Sequence, residues 1–211
     1  LESLLEKACA AADVSREHVS GWSMEVYDPQ PAVTGGISGE FVFSGRLDNI
    51  QMCHAALSAI TEHPGGESTA LIALFNSEET GSRTLNGAAS GFLDSVIERM
   101  AGSRTDYLSA LGRSIMVSAD GAHGVHPNFP DKHDTGCRPV LGGGPVIKIN
   151  VSSRYTSTDL TTAYFMHCAK EAEEPVQCFV SRNDMPCVKD SIHGPGRGRR
   201  LMRAGKIERT R

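Results

Sequence analysis

The sequence predicts an α/β sandwich with a largely parallel or mixed sheet. Residues 70–75 form a continuous apolar run, and residues 114–118 form a shorter one. Such runs are typical of strands that are buried on both faces of a sheet. Segments with apolar residues at helical spacing separate the predicted strands. Helices that alternate with buried strands are the pattern of an α/β fold.

Four segments are predicted to be helical. Residues 1–12 form a short amphipathic segment. A second helix begins at Asp48, carries apolar residues at helical spacing and ends in the helix-breaking sequence of residues 63–66. Residues 92–100 and 160–172 show the same periodicity. These helices would cover the sheet.

Six segments are predicted to be strands, because each is short, largely apolar or alternating, and usually bounded by Gly, Pro or Asp. They are residues 22–27, 40–43, 70–75, 114–118, 144–151 and 176–180.

Composition places the chain among ordinary globular proteins. It has 211 residues, of which 39% are hydrophobic and 22% are charged. No stretch approaches the roughly 20 apolar residues that span a bilayer, so no membrane partner is expected. The first residues resemble no signal peptide and include no initiator Met, which indicates a start inside a longer protein. Six cysteines without a CxxC pair favour a reducing, cytoplasmic location.

Charge is unevenly distributed along the chain. The net charge is −4, yet residues 188–211 contain eight Lys or Arg and only two Asp or Glu. This tail has no periodicity and is predicted to be disordered. Its arginines could contact phosphates, but it has no aromatic residue on which bases could stack, so nucleic-acid binding is the weakest alternative.

Acidic residues follow or lie next to three predicted strands. Asp48 opens a helix after residues 40–43, Glu78 and Glu79 follow residues 70–75, and Asp120 follows residues 114–118. In open α/β sheets, ligands bind beyond the carboxyl ends of the strands. Carboxylates bind hard divalent cations, and one of two adjacent glutamates can accept a proton from an activated water. The pattern indicates a metal site.

Each of these residues also has an ordinary structural interpretation. Asp48 could be a helix N-cap, the Glu78–Glu79 pair a solvated surface and Asp120 a turn residue. The histidines of the next loop, His123, His126 and His133, could be loop or packing residues. Composition and spacing alone leave the choice open.

Several long motifs resemble the aspartyl aminopeptidase family of two-metal aminopeptidases, in family order from about residue 22 to residue 187. The most specific are Phe43-Ser44-Gly45-Arg46-Leu47-Asp48-Asn49, Ala73-Leu74-Phe75-Asn76-Ser77-Glu78-Glu79-Thr80-Gly81-Ser82-Arg83, Ser118-Ala119-Asp120-Gly121-Ala122-His123-Gly124-Val125-His126-Pro127-Asn128, Gly144-Pro145-Val146-Ile147-Lys148, Arg154-Tyr155 and Arg182-Asn183-Asp184-Met185-Pro186-Cys187.

The resemblance implies a partial three-layer α/β/α sandwich with a mixed sheet and two divalent metal ions, with zinc the expected metal. Its implied metal ligands are Asp48, which would bridge both ions, Glu79 and Asp120. Glu78 would be the general base. The residues implied near the substrate are His123, Lys148 and Tyr155, with Lys148 the partner of an acidic substrate side chain.

The resemblance also divides the chain. Residues 1–40 would be the end of an inserted dimerisation or lid region and the return to the catalytic domain. Residues 41–187 would be a partial catalytic domain, and residues 188–211 a tail without counterpart. The implied activity is removal of N-terminal Asp or Glu from peptides, within a homo-oligomeric full-length protein.

Two metal-binding histidines of the family have no match here, one upstream of Asp48 and one after Cys187. His193 stands in unrelated surroundings and is not assigned as the second of them. The alternative expectation is therefore a truncated, catalytically inactive fragment.

Overall fold

The computed structural model describes residues 1–63, 65–151 and 155–181. The predicted tail 188–211, Arg154 and the motif from Arg182 to Cys187 lie outside these residues. The chain forms two compact units, which divide between Leu47 and Asp48. The division into residues 1–40, 41–187 and 188–211 stays a prediction.

The first unit contains one helix and one hairpin. Helix α1 spans Glu2–Ala11 and buries Leu5 and Cys9. Strand β1, Val33–Gly35, pairs antiparallel with β2, Phe41–Phe43. The prediction of a strand over residues 22–27 is wrong, because this segment pairs with no strand among the residues that the structure describes and its apolar side chains are exposed.

Four helices belong mainly to the second unit: α2, Leu47–Glu62; α3, Phe92–Ala101; α4, Arg104–Gly112; and α5, Asp159–Glu171. Three of them confirm predicted helices, and α4 was not predicted. The Ser103 hydroxyl caps α4 by accepting from the backbone N–H of Asp106 at 3.1 Å. This Ser-x-x-Asp spacing is a helix-start signal that the periodicity analysis passed over. No helix among the described residues has the length and apolarity needed to cross a membrane.

Tyr107 joins α3 to α4. Its side chain is 4% exposed, and its hydroxyl donates a 3.0 Å hydrogen bond to Oδ1 of Asp94. Burial raises the pKa of Tyr107, and the hydrogen bond to Asp94 raises it further. The pKa is thus higher in the folded chain than in the unfolded one. The associated stability is complete below the ordinary tyrosine pKa and is lost as pH rises through the raised value.

We expect Tyr107→Phe to lower the free energy of unfolding by about 1 kcal/mol near neutral pH, the usual net contribution of one hydrogen bond. The difference from wild type should shrink above about pH 10, where the wild type begins to lose its tyrosine contribution. Urea unfolding followed by circular dichroism at both pH values measures this. Tyr27→Phe is the control, since the Tyr27 side chain is 73% exposed. Equal losses in both variants would contradict the role of the Asp94 bond.

A βαβ unit closes the described part of the chain. Strand β3, Val146–Ile149, pairs in parallel with β4, Gln177–Val180, and α5 connects them. Thr158 starts α5 with a capping box to Thr161. Both strands confirm predicted ones in shorter form.

The predictions of strands over residues 70–75 and 114–118 are wrong in the described structure. Neither segment pairs with another strand, and the described residues form two separate two-stranded sheets. Leu74 is 56% exposed and Val117 is 66% exposed. An apolar run predicts burial, but a strand also needs a hydrogen-bonding partner, which the run itself does not specify.

Candidate metal centre

Asp48 lies against the loop that carries Asp120. Asp48 and Asn49 have non-helical backbone angles at the start of α2. A Cβ added to Gly121 would lie 2.9 Å from Oδ1 of Asp48, so the absence of a side chain at Gly121 permits this close approach. The Asn49 amide donates to the carbonyl oxygen of Ala119 at 2.9 Å. Asp48 and Asp120, which are 72 positions apart, are therefore neighbours in space.

Asp120 has the ammonium group of Lys148 as a direct partner. Lys148 Nζ donates to Oδ2 of Asp120 at 2.7 Å and to the carbonyl oxygen of Gly121 at 2.6 Å. The two side chains are 20% and 24% exposed, so the pair is largely withdrawn from water. The same nitrogen lies 5.9 Å from the centre of the Tyr155 ring, within range of a cation–π interaction. The position beside Asp120 is thus suited to a positive charge.

The Glu78–Glu79 pair lies in a tight, hydrogen-bonded loop. Ser77 and Ser82 begin and end the turn with positive φ angles of 60° and 59°. The N–H of Ser82 donates to the carbonyl oxygen of Ser77 at 2.9 Å. Glu78 is half-buried and Glu79 is exposed. The pair therefore comes from a defined turn and not from a flexible surface segment.

The histidines of the 121–133 segment have different environments. His133 is buried, with its ring edge-on to Phe179, and its Nε2 lies 3.4 Å from the carbonyl oxygen of His123. The ring of His126 lies 5.1 Å from that of Phe129. The side chain of His123 is exposed. His126 and His133 therefore pack locally, whereas His123 is accessible to a ligand.

The donor set contains the carboxylates that a divalent cation prefers, but they are not gathered into one site among the described residues. Asp48 lies against the loop that carries Asp120, and the Asp120 carboxylate pairs with the Lys148 ammonium. Carboxylate oxygens are ligands that divalent cations accept. Throughout the part of the chain that the structure describes, no three His, Cys, Asp or Glu side chains form a ligand group. Asp48, Glu79 and Asp120 are thus not assembled as one set, and their assignment as ligands stays a prediction.

Asn49 and Gly121 complete the contact between the two loops, although the sequence did not single them out as site residues. Each directly follows a predicted acidic ligand. A small or amide residue after a strand-end aspartate is the signal that could have found them.

The sequence matches the model of a known protein family. The model described as "Aminopeptidase I zinc metalloprotease (M18)" matches residues 1–192. The chain belongs to the M18 aminopeptidase family. The probable M18 family aminopeptidase 2 of Pseudomonas aeruginosa strain UCBPP-PA14 is 42% identical to this M18 chain over 186 residues, which are 88% of the chain and 42% of that protein.

Solved M18 structures confirm the predicted α/β fold class. The crystal structure of prApe1 matches with a TM-score of 0.76 and 27% identity, covering 88% of this chain and 41% of that one. The S. cerevisiae mApe1 dodecamer matches with a TM-score of 0.75 and 29% identity, covering 86% of this chain and 44% of that one. This M18 chain therefore spans less than half the length of these relatives.

Proposed function

We propose that the chain carries the catalytic part of a metallo-aminopeptidase that removes N-terminal Asp or Glu from peptides. The observation that carries the proposal is the approach of Asp48 to the loop of Asp120, whose carboxylate pairs with Lys148, in a chain of the M18 family. Two carboxylates and one ammonium on or beside this loop could serve a metal ion and an acidic substrate.

Metal binding is proposed for Asp48, Glu79 and Asp120, with Asp48 shared between two divalent ions and zinc as the preferred metal. When bound, the ions would supply Lewis-acid chemistry that makes a water molecule acidic near neutral pH. Glu78 would accept the proton of the attacking water as general base. Its half-buried position in a rigid turn favours a fixed orientation of the carboxylate.

Substrate recognition is proposed for His123, Lys148 and Tyr155. A partly desolvated ammonium forms strong, charge-assisted hydrogen bonds with a carboxylate, which would favour Asp or Glu at the substrate N-terminus. Lys148 has the required low exposure, and the ring of Tyr155 lies beside its ammonium group. His123 is accessible on the neighbouring loop.

A panel of aminoacyl fluorogenic amides tests the function. The protein would be assayed with Asp, Glu, Asn, Gln and Leu substrates after addition of zinc, manganese or cobalt, and again after chelation. We expect hydrolysis only with metal, and kcat/KM higher for Asp than for the isosteric Asn. A preference for Leu or Asn over Asp would contradict the acidic specificity.

The alternative is that the isolated 211-residue chain has no activity of its own. The chain covers 42% of its Pseudomonas relative, which makes a fragment a specific possibility. Absence of hydrolysis by the chain in the same assay, both with and without added metal, would favour this alternative. For the full-length protein we propose a homo-oligomer, since the solved S. cerevisiae relative is a dodecamer. We also propose a cytoplasmic location, because the six cysteines include no CxxC pair and fit a reducing compartment.

A further inference from the structure

We propose that Gln177 is a positioning residue whose side-chain amide holds residues 121–126, the substrate loop, in place through residues 139–144. The inference rests on the proposed function only in taking His123, which the substrate loop carries, as a substrate residue. Gln177 lies in strand β4 and is half-buried. We expect substrate affinity to depend on it, although it is none of the residues proposed to contact the substrate.

The Gln177 amide holds one residue of the 139–144 segment through both of its backbone polar groups. Its Oε1 accepts from the N–H of Val140 at 2.9 Å, and its Nε2 donates to the carbonyl oxygen of Val140 at 3.1 Å. Directly opposed residues of antiparallel strands exchange hydrogen bonds in the same way. The Nε2 also donates to the carbonyl oxygen of Gly144 at 3.2 Å. One side chain therefore fixes both ends of residues 140–144.

Gly143 leaves the space that this amide occupies. A Cβ at Gly143 would lie 2.6 Å from the Cδ and 2.6 Å from the Nε2 of Gln177. Glycine permits such a close approach, and a larger residue at this position would displace the amide. The contact thus depends on two positions that are far apart in sequence, and a change at either one removes it.

The 139–144 segment contacts the substrate loop through one backbone hydrogen bond and one side chain. The N–H of Val125 donates to the carbonyl oxygen of Pro139 at 2.7 Å. The Leu141 side chain lies against Gly124, where an added Cβ would be 3.0 Å from Leu141 Cδ2. Pro139 and Leu141 are the two neighbours of Val140 in the chain. A shift of Val140 therefore changes both contacts with the substrate loop.

The substrate loop has no helix or strand of its own to hold it. Between Asp120 and β3, where the structure describes every residue, the regular structure is the single 3-10 turn Pro130–Lys132. Fixing the backbone of such a segment costs conformational entropy, which specific contacts must offset. The position of His123 is therefore set by the contacts of residues 120–144 with the rest of the unit.

One face of the β3–β4 sheet supplies these contacts. Lys148 pairs with Phe179 in the parallel register, and Gln177 precedes Phe179 by two residues, so the three side chains share a face. Lys148 binds the carbonyl oxygen of Gly121 at the start of the segment, and the Phe179 ring packs against His133 in its middle. Gln177 holds its end. Gln177 is the uncharged member of this set that binds backbone, so it can be replaced without removing a charge.

The test compares Gln177→Met with Gln51→Met by amide hydrogen exchange of the 211-residue chain without metal. Methionine keeps the length of the side chain and removes the amide. Gln51 is exposed on α2, which makes it a matched control. We expect the Val140 and Val125 amides to exchange about fivefold faster or more in Gln177→Met, as for the loss of about one hydrogen bond. Gln51→Met should match wild type.

The pattern of exchange decides the inference. Acceleration at Val140 but not at Val125 would overturn it, because the effect would not reach the substrate loop, and so would no acceleration at either amide. Equal acceleration throughout β3 and β4 would also overturn it, since Gln177 would then only support the sheet. If Gln177→Met does not fold, Gly143→Ala replaces it, because the added Cβ displaces the amide and leaves β4 unchanged.

Kinetics separate positioning from stability. With the aspartyl fluorogenic amide and added metal, we expect Gln177→Met to raise KM about fivefold and to change kcat less than about twofold, the signature of lost uniform binding. An unchanged KM would overturn the inference. The proposed function can fail separately: if wild type hydrolyses none of the panel while the Val125 amide responds to Gln177→Met, the aminopeptidase activity is refuted and the positioning of the loop stands.

Discussion

Glu78→Gln is expected to lower kcat by about 10²–10⁴-fold in any preparation that hydrolyses acidic aminoacyl substrates, while bound metal is retained. The amide keeps the size and position of the carboxylate but cannot accept a proton. The backbone of the turn should keep its shape, because two of its hydrogen bonds join backbone groups that the substitution leaves in place. The Gly81 N–H donates to the Glu78 carbonyl oxygen at 2.9 Å, and the Ser82 N–H donates to that of Ser77.

Glu79→Gln is the matched control for the base assignment. It makes the same chemical change one residue further along the same turn, at an exposed side chain proposed to hold metal. We expect it to reduce metal content, measured by elemental analysis after dialysis, with activity partly restored by added metal. Retained metal and lost turnover in Glu79→Gln, with the opposite in Glu78→Gln, would mean that the two roles are exchanged.

The helices could be predicted well because their signal is local. The segment after Asp48 and the segment after Thr158 became α2 and α5 with boundaries close to those expected. Helix α4 was not predicted, because it buries a single residue, Tyr107, and so shows no apolar periodicity. Its start signal at Ser103 is chemical and not periodic.

The sheet was less predictable because pairing is not local. Residues 146–149 and 177–180 each find a partner in the other, so both became strands. The equally apolar residues 70–75 and 114–118 find none among the described residues. Leu71 and Ile115 remain 42% and 41% exposed as a result. The apolar runs predict burial on both faces, but such burial also needs partner strands and covering segments. The runs themselves do not specify which segments those are.

The candidate site was predictable in composition and only partly in geometry. Asp48 approaches the loop of Asp120, but the segment before Asp120 is not a strand and no described group gathers these acids with Glu79. The Lys148–Asp120 pair could not be anticipated, because the sequence indicates which charges are present but not which of several carboxylates a long side chain will contact. The resemblance suggested Lys148 as a substrate residue, and the structure adds its contact with a proposed metal ligand.

Gly87→Ala is expected to disrupt the turn that carries Glu78 and Glu79. A Cβ at Gly87 would overlap the carbonyl group of Ser82 and lie 3.0 Å from its Cα. Ser82 is 2% exposed and cannot move outward without breaking local contacts. Its carbonyl oxygen also accepts from the N–H of Ala89 at 3.0 Å. Because the obstacle is backbone, side-chain rotation cannot relieve the overlap.

The expected cost of Gly87→Ala is about 2–4 kcal/mol, from overpacking and the weakened hydrogen bond to Ser82. Gly66→Ala is the control, since a Cβ there meets no atom within 4 Å. Urea unfolding measures the stability of both variants, and hydrogen exchange of the Ala89 amide reports the turn directly. Faster exchange should appear in Gly87→Ala only, together with lower metal content, because Glu79 is displaced. Equal stability and equal exchange in the two variants would show that the chain does not hold Gly87 against Ser82, and the rigid orientation proposed for Glu78 would lose its structural basis.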